Sequence, residues 1–268
     1  TRTLDENVEN LTLLWSAAIN GTGNGLDNTL TGNSGVNELT GRGGNDTYIV
    51  GAGDSVVEND NEGTDSVQSS ATFFLGVFVE NLTLTGFNAI NVTGNSLANI
   101  LVGNSGNNVL DGGTGADIMT GGQGFDAYVI DDIGDVVTEV LNGGIDTVQS
   151  SITHTLLDNF ENLILTGISA IDGFGNQLSN VLTGNSAANV LTGGSGNDLY
   201  IIGAGDSVTE QPGEGTDTVQ TGLTYTLGAN VENLTLTGMT AVTGTGNAMA
   251  NVMTGNNAAS VLAGGDGD

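Results

Sequence analysis

The chain repeats a three-residue pattern over most of its length: a polar residue, then any residue, then an apolar one. The pattern is clear at Asn28-x-Leu30 and continues through segments such as Asp46-x-Tyr48. In an extended chain alternate side chains point to the same side, so the middle residue faces outward and the apolar residue faces inward. The pattern therefore predicts many short strands, each of which buries one row of apolar side chains.

Segments rich in Gly and Asn separate these strands and give the chain a period of nine residues. Gly and Asn accept the left-handed backbone conformation that tight turns require. A period of nine is too short for a helix and its loop, but it fits a strand and a turn, two of which make one coil. We predict an all-β fold, a parallel β-solenoid (β-roll) with two facing sheets and about 13 coils spaced ~4.8 Å apart.

A longer repeat contains the short one. The phrase VENLTL begins at Val8, Val79 and Val231, and FENLIL begins at Phe160, so the long units restart after 71, 81 and 71 residues. We interpret residues 1–268 as one continuous repeat rod, a fragment of a longer repeat protein, in which each coil contacts only its neighbours. The long half-turn before ENLTL, QSSATFFLGVFVEN from Gln68, contains either an extra strand or a bulged corner. If it is a corner, successive ENLTL strands switch sheets across the 71-residue units.

The acidic composition indicates that the folded chain needs bound cations. Acidic residues number 31 against two basic ones, the net charge is −29, and there is no Cys. Such a surface repels nucleic acid and anionic lipid and attracts cations. A chain without disulfides fits either a reduced cytosol or a secreted protein that metal stabilises. No run of 18 apolar residues predicts a membrane span, and Thr1 is not followed by a secretory signal pattern.

Stacked coils bring together Asp residues from neighbouring coils. Two carboxylates about 4.8 Å apart repel each other unless a cation lies between them. Carboxylates and the carbonyls of Gly-rich turns make an all-oxygen site that favours calcium over zinc, copper or magnesium. A half-turn faces the second one along the chain, so the predicted pairs are Asp46 with Asp65, Asp117 with Asp135, Asp126 with Asp146, and Asp198 with Asp217.

Two segments resemble a known family. GGTGADIMTGGQGFDAY from Gly112 and GGSGNDLYI from Gly193 resemble the GGxGxDxUx nonapeptide of RTX, or haemolysin-type, calcium-binding repeats. The resemblance implies a parallel β-roll that holds several calcium ions through Asp carboxylates and turn carbonyls, and secretion through a type I exporter. On this resemblance the turn glycines that contribute to calcium binding are Gly112, Gly113, Gly115, Gly121, Gly122, Gly124, Gly193, Gly194 and Gly196.

Several turns depart from this motif. Asn replaces Asp at positions such as Asn28 and Asn108, where we expect Asn–Asn hydrogen-bonded ladders that need no metal. Arg42 replaces the second glycine of GRGGNDTYI, and its positive charge is expected to weaken that calcium site. The Asp stacks could instead be Asx turns that are capped locally without metal.

Other residues have simpler expected functions. Trp15 is expected to pack in the core. Three Glu residues of the ENLTL-type strands are expected to accept hydrogen bonds from the turn backbone rather than to bind calcium: Glu80, Glu161 and Glu232.

These features favour a structural protein, a secreted calcium-rigidified rod of an extracellular adhesin, surface layer or filament. Its expected partners are calcium and further repeats of the same chain or of neighbouring subunits, without nucleic acid or membrane insertion. The alternative is the C-terminal RTX export and folding module of a type I secreted enzyme. HExxH and GxSxG motifs are absent, so we predict no catalytic residue here. An ice- or polysaccharide-binding face requires the same outward Thr on every coil, whereas Thr83 and Thr85 recur once per long unit.

Overall fold

The computed structural model describes residues 1–267 as short parallel β-strands joined by turns. It divides into two compact units, unit 1 (Thr1–Gly144) and unit 2 (Ile145–Asp268). All elements of the described residues are strands, and this part of the chain has no helix able to cross a membrane. The predicted all-β, parallel β-solenoid fold is confirmed.

Unit 1 contains sixteen strands: β1 (Arg2–Thr3), β2 (Asn10–Thr12), β3 (Gly21–Thr22), β4 (Thr29–Thr31), β5 (Glu38–Thr40), β6 (Thr47–Val50), β7 (Ser55–Val57), β8 (Ser66–Ser69), β9 (Phe73–Phe74), β10 (Asn81–Leu84), β11 (Val92–Thr93), β12 (Ile100–Val102), β13 (Val109–Asp111), β14 (Ile118–Thr120), β15 (Ala127–Ile130) and β16 (Val136–Thr138). The even-numbered strands form one parallel sheet, from β2 to β16 in order. The odd-numbered strands pair in the two series β1-β3-β5-β7 and β9-β11-β13-β15.

Unit 2 contains fourteen strands within the described residues: β17 (Thr147–Ser150), β18 (His154–Thr155), β19 (Asn162–Leu165), β20 (Gly173–Phe174), β21 (Val181–Thr183), β22 (Val190–Thr192), β23 (Leu199–Ile201), β24 (Ser207–Val208), β25 (Thr218–Thr221), β26 (Tyr225–Thr226), β27 (Asn233–Leu236), β28 (Thr243–Thr245), β29 (Val252–Thr254) and β30 (Val261–Ala263). Here the odd-numbered strands from β17 to β29 form one parallel sheet. The even-numbered strands pair as β18-β20-β22-β24 and β26-β28-β30.

The coils outnumber the prediction. Two strands make one coil, so the thirty strands of the described residues make about 15 coils rather than 13. The TFFL-type segments, which the sequence left open, are short strands (β9, β18 and β26) rather than corners. The ENLTL-type strands therefore stay in one sheet across a 71-residue unit, β2 with β10 in unit 1 and β19 with β27 in unit 2. The predicted switch of sheets is wrong because it assumed a corner.

Parallel pairing stacks equivalent positions of successive coils on one another. Leu101 of β12 pairs with Leu82 of β10 and Met119 of β14, and all three side chains are buried. The buried rows are not purely aliphatic, because Tyr48 of β6 and Tyr128 of β15 are also fully buried in their own sheets. Burying these continuous apolar rows is the main term that favours folding in each unit.

The outward rows are mixed. Thr83 is exposed, but its neighbours in the sheet are Gln68 and Val102. A continuous row of Thr therefore does not pass through this position of unit 1.

Trp15 does not pack in the core. Its side chain is 86% exposed, and its φ of 71° lies in the left-handed region. Gly86, Gly167 and Gly238 occupy the equivalent position in the other long units, with φ of 71° to 80°. The turn geometry, which favours glycine here, directs the indole of Trp15 outward.

The core interpretation predicts unequal effects of two neighbouring substitutions on β12. Leu101→Ala removes a side chain that is 0% exposed and should lower the free energy of unfolding by about 2–5 kcal/mol. Ile100→Ala removes a side chain that is 46% exposed and should lower it by less than about 1 kcal/mol. Urea unfolding of both variants with saturating calcium measures the difference, and equal losses would contradict the assigned orientation of β12.

Candidate metal centre

Inward polar side chains form a hydrogen-bonded series along each unit. The first polar residue of the three-residue pattern shares the inward face with the apolar residue two positions later. In unit 1 the Oδ1 atom of Asp46 accepts the N–H of Asn28 at 2.6 Å, and Oδ1 of Asp65 accepts the N–H of Asp46 at 2.8 Å. Glu80 Oε2 then accepts the N–H of Asp65 at 2.7 Å. One carboxylate oxygen of each acid therefore holds the backbone of the preceding coil.

Unit 2 repeats the series. Asp198 accepts the N–H of Asn180 at 2.7 Å, and Asp217 accepts the N–H of Asp198 at 2.9 Å. Glu232 accepts the N–H of Asp217 at 2.8 Å. The predicted backbone hydrogen bonds of Glu80 and Glu232 are thus present, and Glu161 makes the same bond to the N–H of Asp146 at 2.8 Å.

The structure brings together the three predicted Asp pairs that lie within one unit, and the fourth pair, Asp126 with Asp146, stays a prediction. Asp46 contacts Asp65, Asp198 contacts Asp217, and Asp135 Oδ1 accepts the N–H of Asp117 at 3.0 Å. The fourth pair divides between the units. Asp126, in unit 1, is buried and accepts the N–H of Asn108 at 2.7 Å, whereas Asp146 is buried in unit 2.

The second carboxylate oxygen of several of these Asp residues, unlike the first, makes no hydrogen bond within the described part of the chain. The Oδ2 atoms of Asp46, Asp117 and Asp198 are buried and accept no hydrogen bond from residues 1–267. A Cβ on the first glycine of the same turn, such as Gly41 or Gly193, would overlap that oxygen. Glycine is therefore needed at this turn position because the carboxylate lies against its Cα. A buried anionic oxygen without a donor is costly unless a cation or a proton neutralises it.

An Asn side chain at the same position finds backbone hydrogen-bond partners and needs no cation. Asn108 donates its side-chain N–H to the carbonyl of Ile90, one coil earlier, at 2.6 Å. Asn189 donates to Ile171 in the same way, also at 2.6 Å. The expected Asn–Asn ladder is wrong, because the amide bonds to the backbone carbonyl rather than to the next Asn side chain. Asp lacks these donors, so Asp residues such as Asp46 and Asp198 leave a buried oxygen without a donor among residues 1–267.

The predicted glycines give the turns their shape. The second and third glycines of the motif have positive φ, as in Gly113 (80°) and Gly115 (126°). Among the first glycines, Gly193 donates its N–H to the hydroxyl of Tyr200 at 2.6 Å. The carbonyls of this whole predicted set stay predicted calcium ligands. The other second and third glycines with positive φ are Gly122, Gly124, Gly194 and Gly196.

Three buried Glu residues were missed by the sequence analysis. Glu58, Glu139 and Glu210 end the segments SVVE, VVTE and SVTE and are 4–5% exposed. The available signal was the alternation of the strand, which places each Glu on the same inward face as the Val two positions earlier, as with Glu58 and the buried Val56. The GGxGxDxUx motif does not include this position, so the resemblance did not indicate it.

Two of these Glu residues, Glu58 and Glu210, lie among other acids of their own unit. Ligand oxygens of Asp46, Glu58 and Asp65 lie within 4.8 Å of one another, and all three side chains are buried. In unit 2 the same holds for Asp198, Glu210 and Asp217. We call these two sets the unit 1 triad and the unit 2 triad.

Burial changes the acidity of both triads. Loss of solvent, followed by the charges of Asp65 and Asp46, raises the pKa of Glu58 to about 8. Burial likewise raises the pKa of Asp46 to about 6. In unit 2 burial raises the pKa of Glu210 to about 8 and that of Asp198 to about 7. Without a cation, each triad therefore retains protons near neutral pH.

The donor set fits calcium. Calcium prefers six to eight hard oxygen ligands, including carboxylates and backbone carbonyls. The triads provide buried carboxylate oxygens that lack donors, and the turns place further backbone oxygens nearby. Bound calcium would neutralise the clustered carboxylates and thereby stabilise the turns.

The geometry defines a class of protein, a parallel β-solenoid with acidic, glycine-rich turns suited to calcium. Comparison with known families identifies the repeat. The family described as RTX calcium-binding nonapeptide repeat (4 copies) matches residues 22–57, 93–127 and 174–208. The chain therefore contains RTX calcium-binding repeats, as the resemblance indicated.

One curated relative shares a shorter stretch. The endo-1,3-1,4-beta-glycanase EglC of Rhizobium meliloti (strain 1021) is 40% identical over 47 residues. The match covers 18% of this chain and 10% of the relative, so the chain spans about a tenth of the length of that protein.

The raised pKa values predict opposite effects of pH with and without calcium. Folded pKa values above the unfolded ones mean that the calcium-free folded state binds more protons than the unfolded state. Stability is then present at low pH and is lost as pH rises through about 6 to 8. The urea midpoint should be higher at pH 5 than at pH 8.5 without calcium, and the order should reverse with saturating calcium, which displaces the protons.

Circular dichroism in about 0.5 M NaCl measures these midpoints while salt screens the surface charge. The same order of midpoints in both conditions would contradict the assignment of the triads as shared proton and calcium sites.

Arg42 predicts a separate gain in stability. It has φ of 76° at the position where Gly113 has 80°, and a left-handed backbone costs a residue with a Cβ about 1 kcal/mol. Arg42→Gly should raise the free energy of unfolding by about this amount. Arg42→Ala is the control, because it removes the charge but keeps the Cβ. Equal gains in calcium-free urea unfolding would mean that charge, not backbone strain, is responsible.

Proposed function

We propose that this chain is a secreted, calcium-rigidified structural segment of an extracellular adhesin, surface layer or filament. The observation that carries the proposal is the series of buried Asp oxygens without donors at stacked turns of RTX repeats. Calcium completes these turns, so the free energy of calcium binding becomes free energy of folding. Its partners are calcium and further repeats of this chain or of neighbouring subunits.

Secretion follows from the same chemistry. RTX repeat proteins are typically secreted. A chain with a net charge of −29 and buried acids that need calcium resists folding where calcium is scarce and folds where it is abundant. We therefore place the working form of this segment at the cell surface or in the extracellular medium.

The second candidate is the export and folding module of a type I secreted enzyme. The 47-residue similarity to an endo-1,3-1,4-beta-glycanase favours it. In both candidates the segment itself performs no catalysis, and calcium acts on its folding.

A calcium titration followed by far-UV circular dichroism tests the proposal. The calcium-free chain should be largely disordered, and calcium should produce a cooperative β-sheet signal that a chelator reverses. Magnesium should fail at equal concentration, because it gives up its water ligands reluctantly. A calcium-free chain that is already β-rich and unchanged by calcium would overturn the proposal.

Affinity electrophoresis in a gel containing soluble 1,3-1,4-β-glucan, run with calcium, separates the two candidates. Retardation of the folded segment would favour the enzyme module. Unchanged mobility together with calcium-dependent folding supports the structural segment.

A further inference from the structure

The position of Glu58 follows from how two turns stack. β5 and β7 pair Thr40 with Val57, so the next residues, Gly41 and Glu58, begin two stacked turns. Gly41 has no side chain, and a Cβ there would overlap the Oδ2 atom of Asp46 and the hydroxyl of Tyr48. Gly41 therefore contributes no side chain to this stack of turns. The side chain of Glu58, in the next coil, is the one present there.

Glu58 is only 4% exposed, and within the described residues neither of its carboxylate oxygens accepts a hydrogen bond of ordinary geometry. The backbone N–H of Gly41 interacts with it weakly and lowers its pKa slightly against the larger effect of burial. The Tyr48 hydroxyl and the Oδ2 atom of Asp46 are also buried without partners in this part of the chain. A structural Glu would be expected to satisfy its oxygens locally, as Glu80 does with the N–H of Asp65. The unsatisfied oxygens of three residues instead converge on one place.

Unit 2 contains the same arrangement independently. Leu191 pairs with Val208, so Gly193 and Glu210 again begin stacked turns. The Tyr200 hydroxyl donates to Oε1 of Glu210, while Oε2 has no donor among residues 1–267. The recurrence of glycine, Asp, Tyr and Glu at equivalent positions shows that the cluster is a built feature of the long repeat.

The turn that begins at Gly112, between these two copies in the sequence, lacks the Glu. Asp111 pairs with Val129, so Gly112 is followed one coil later by Ile130 at the position that Glu58 takes above Gly41. Ile130 is 1% exposed. Asp117 and Asp135 thus form a predicted pair in which an apolar side chain stands where the triads have a carboxylate.

We propose that Glu58 and Glu210 are calcium ligands outside the nonapeptide motif, each of which completes a buried site with the two Asp residues of its triad. Three carboxylates within 4.8 Å demand a cation, and hard oxygens with a tyrosine hydroxyl suit calcium. This inference rests on the calcium binding given under Proposed function. Because calcium affinity rises with the number of charged ligands, the triads fill before pairs such as Asp117 with Asp135.

The test compares Glu-to-Gln substitutions that make equal charge changes inside and outside the triads. The variant E58Q/E210Q removes the proposed ligands. The control E6Q/E9Q alters two exposed Glu residues near the start of unit 1, outside both triads. Native mass spectrometry counts the bound calcium ions, and isothermal titration calorimetry measures their affinities, both on the full chain.

E58Q/E210Q should weaken the two tightest calcium sites by roughly tenfold or more, and E6Q/E9Q by less than about threefold. At pH 8.5, where both Glu residues are ionised in the calcium-free wild type, the urea midpoint of calcium-free E58Q/E210Q should rise because two buried charges are removed, while that of the calcium-loaded variant should fall. A purely structural Glu would lower both midpoints. Calcium affinities equal to those of the control would overturn this inference and leave the proposed function intact, whereas a wild-type chain that binds no calcium would overturn both.

Terbium luminescence gives a second readout that does not need the Glu variants to fold. A terbium ion bound at the unit 2 triad should be sensitised by Tyr200, so Tyr200→Phe should lower the tyrosine-excited emission more than Tyr225→Phe. Tyr225 lies on β26 in the same unit and is the matched control. Equal losses of emission would overturn the placement of the ion beside Tyr200.

Discussion

The constraint behind this structure is that parallel coils place each residue on its equivalent in the next coil. Adjacent strands pair in parallel, and the backbone hydrogen bonds run between coils. The same type of residue therefore recurs at stacked positions of successive coils. Stacking Leu101 on Leu82 removes apolar surface from water, but stacking Asp on Asp concentrates negative charge in a buried row. Every other feature of the two units follows from how each stack of like residues is satisfied.

The side-chain amide of Asn, which Asp lacks, lets a turn satisfy its polar atoms with protein partners. The amide of Asn108 bonds the carbonyl of Ile90 while its oxygen accepts the N–H of Asn104 within the turn. Asp117 makes one backbone bond through Oδ1 and leaves Oδ2 without a donor among the described residues. Asn turns therefore hold the coils by protein contacts, and so does the turn of Asp54, whose Oδ2 accepts a backbone N–H. Turns such as that of Asp117 instead leave a buried oxygen that a cation can neutralise. If calcium binds as proposed, mixing the two kinds of turn along one chain makes folding depend on calcium without making every turn depend on it.

The strands and Asp pairs that belong to the repeated pattern were predicted from the sequence, whereas features outside that pattern were missed. Polar-x-apolar triplets located the strands, and the pairing of Asp46 with Asp65 followed from counting half-turns. The two-residue strand β9 was left open because its residues, Phe73 and Phe74, carry no polar residue of the pattern. Glu58 was missed because its function depends on the glycine beneath it, a relation that appears only once the coils are stacked. Trp15 was placed wrongly because hydrophobicity suggested burial, whereas its backbone conformation is what directs its side chain.

Coil-on-coil contact also determines how calcium acts within each unit. Asp46 accepts a hydrogen bond from Asn28 and donates one to Asp65, so a cation at Asp46 fixes the backbone of three successive coils. Since each coil of a solenoid is stabilised mainly by its neighbours, ordering one acidic turn lowers the free-energy cost of ordering the next. The charge repulsion that opposes folding falls with each ion, because every calcium removes two negative charges from a chain that carries 31 acidic residues. Binding and folding are therefore expected to be cooperative within a unit even where the individual sites differ in their ligands.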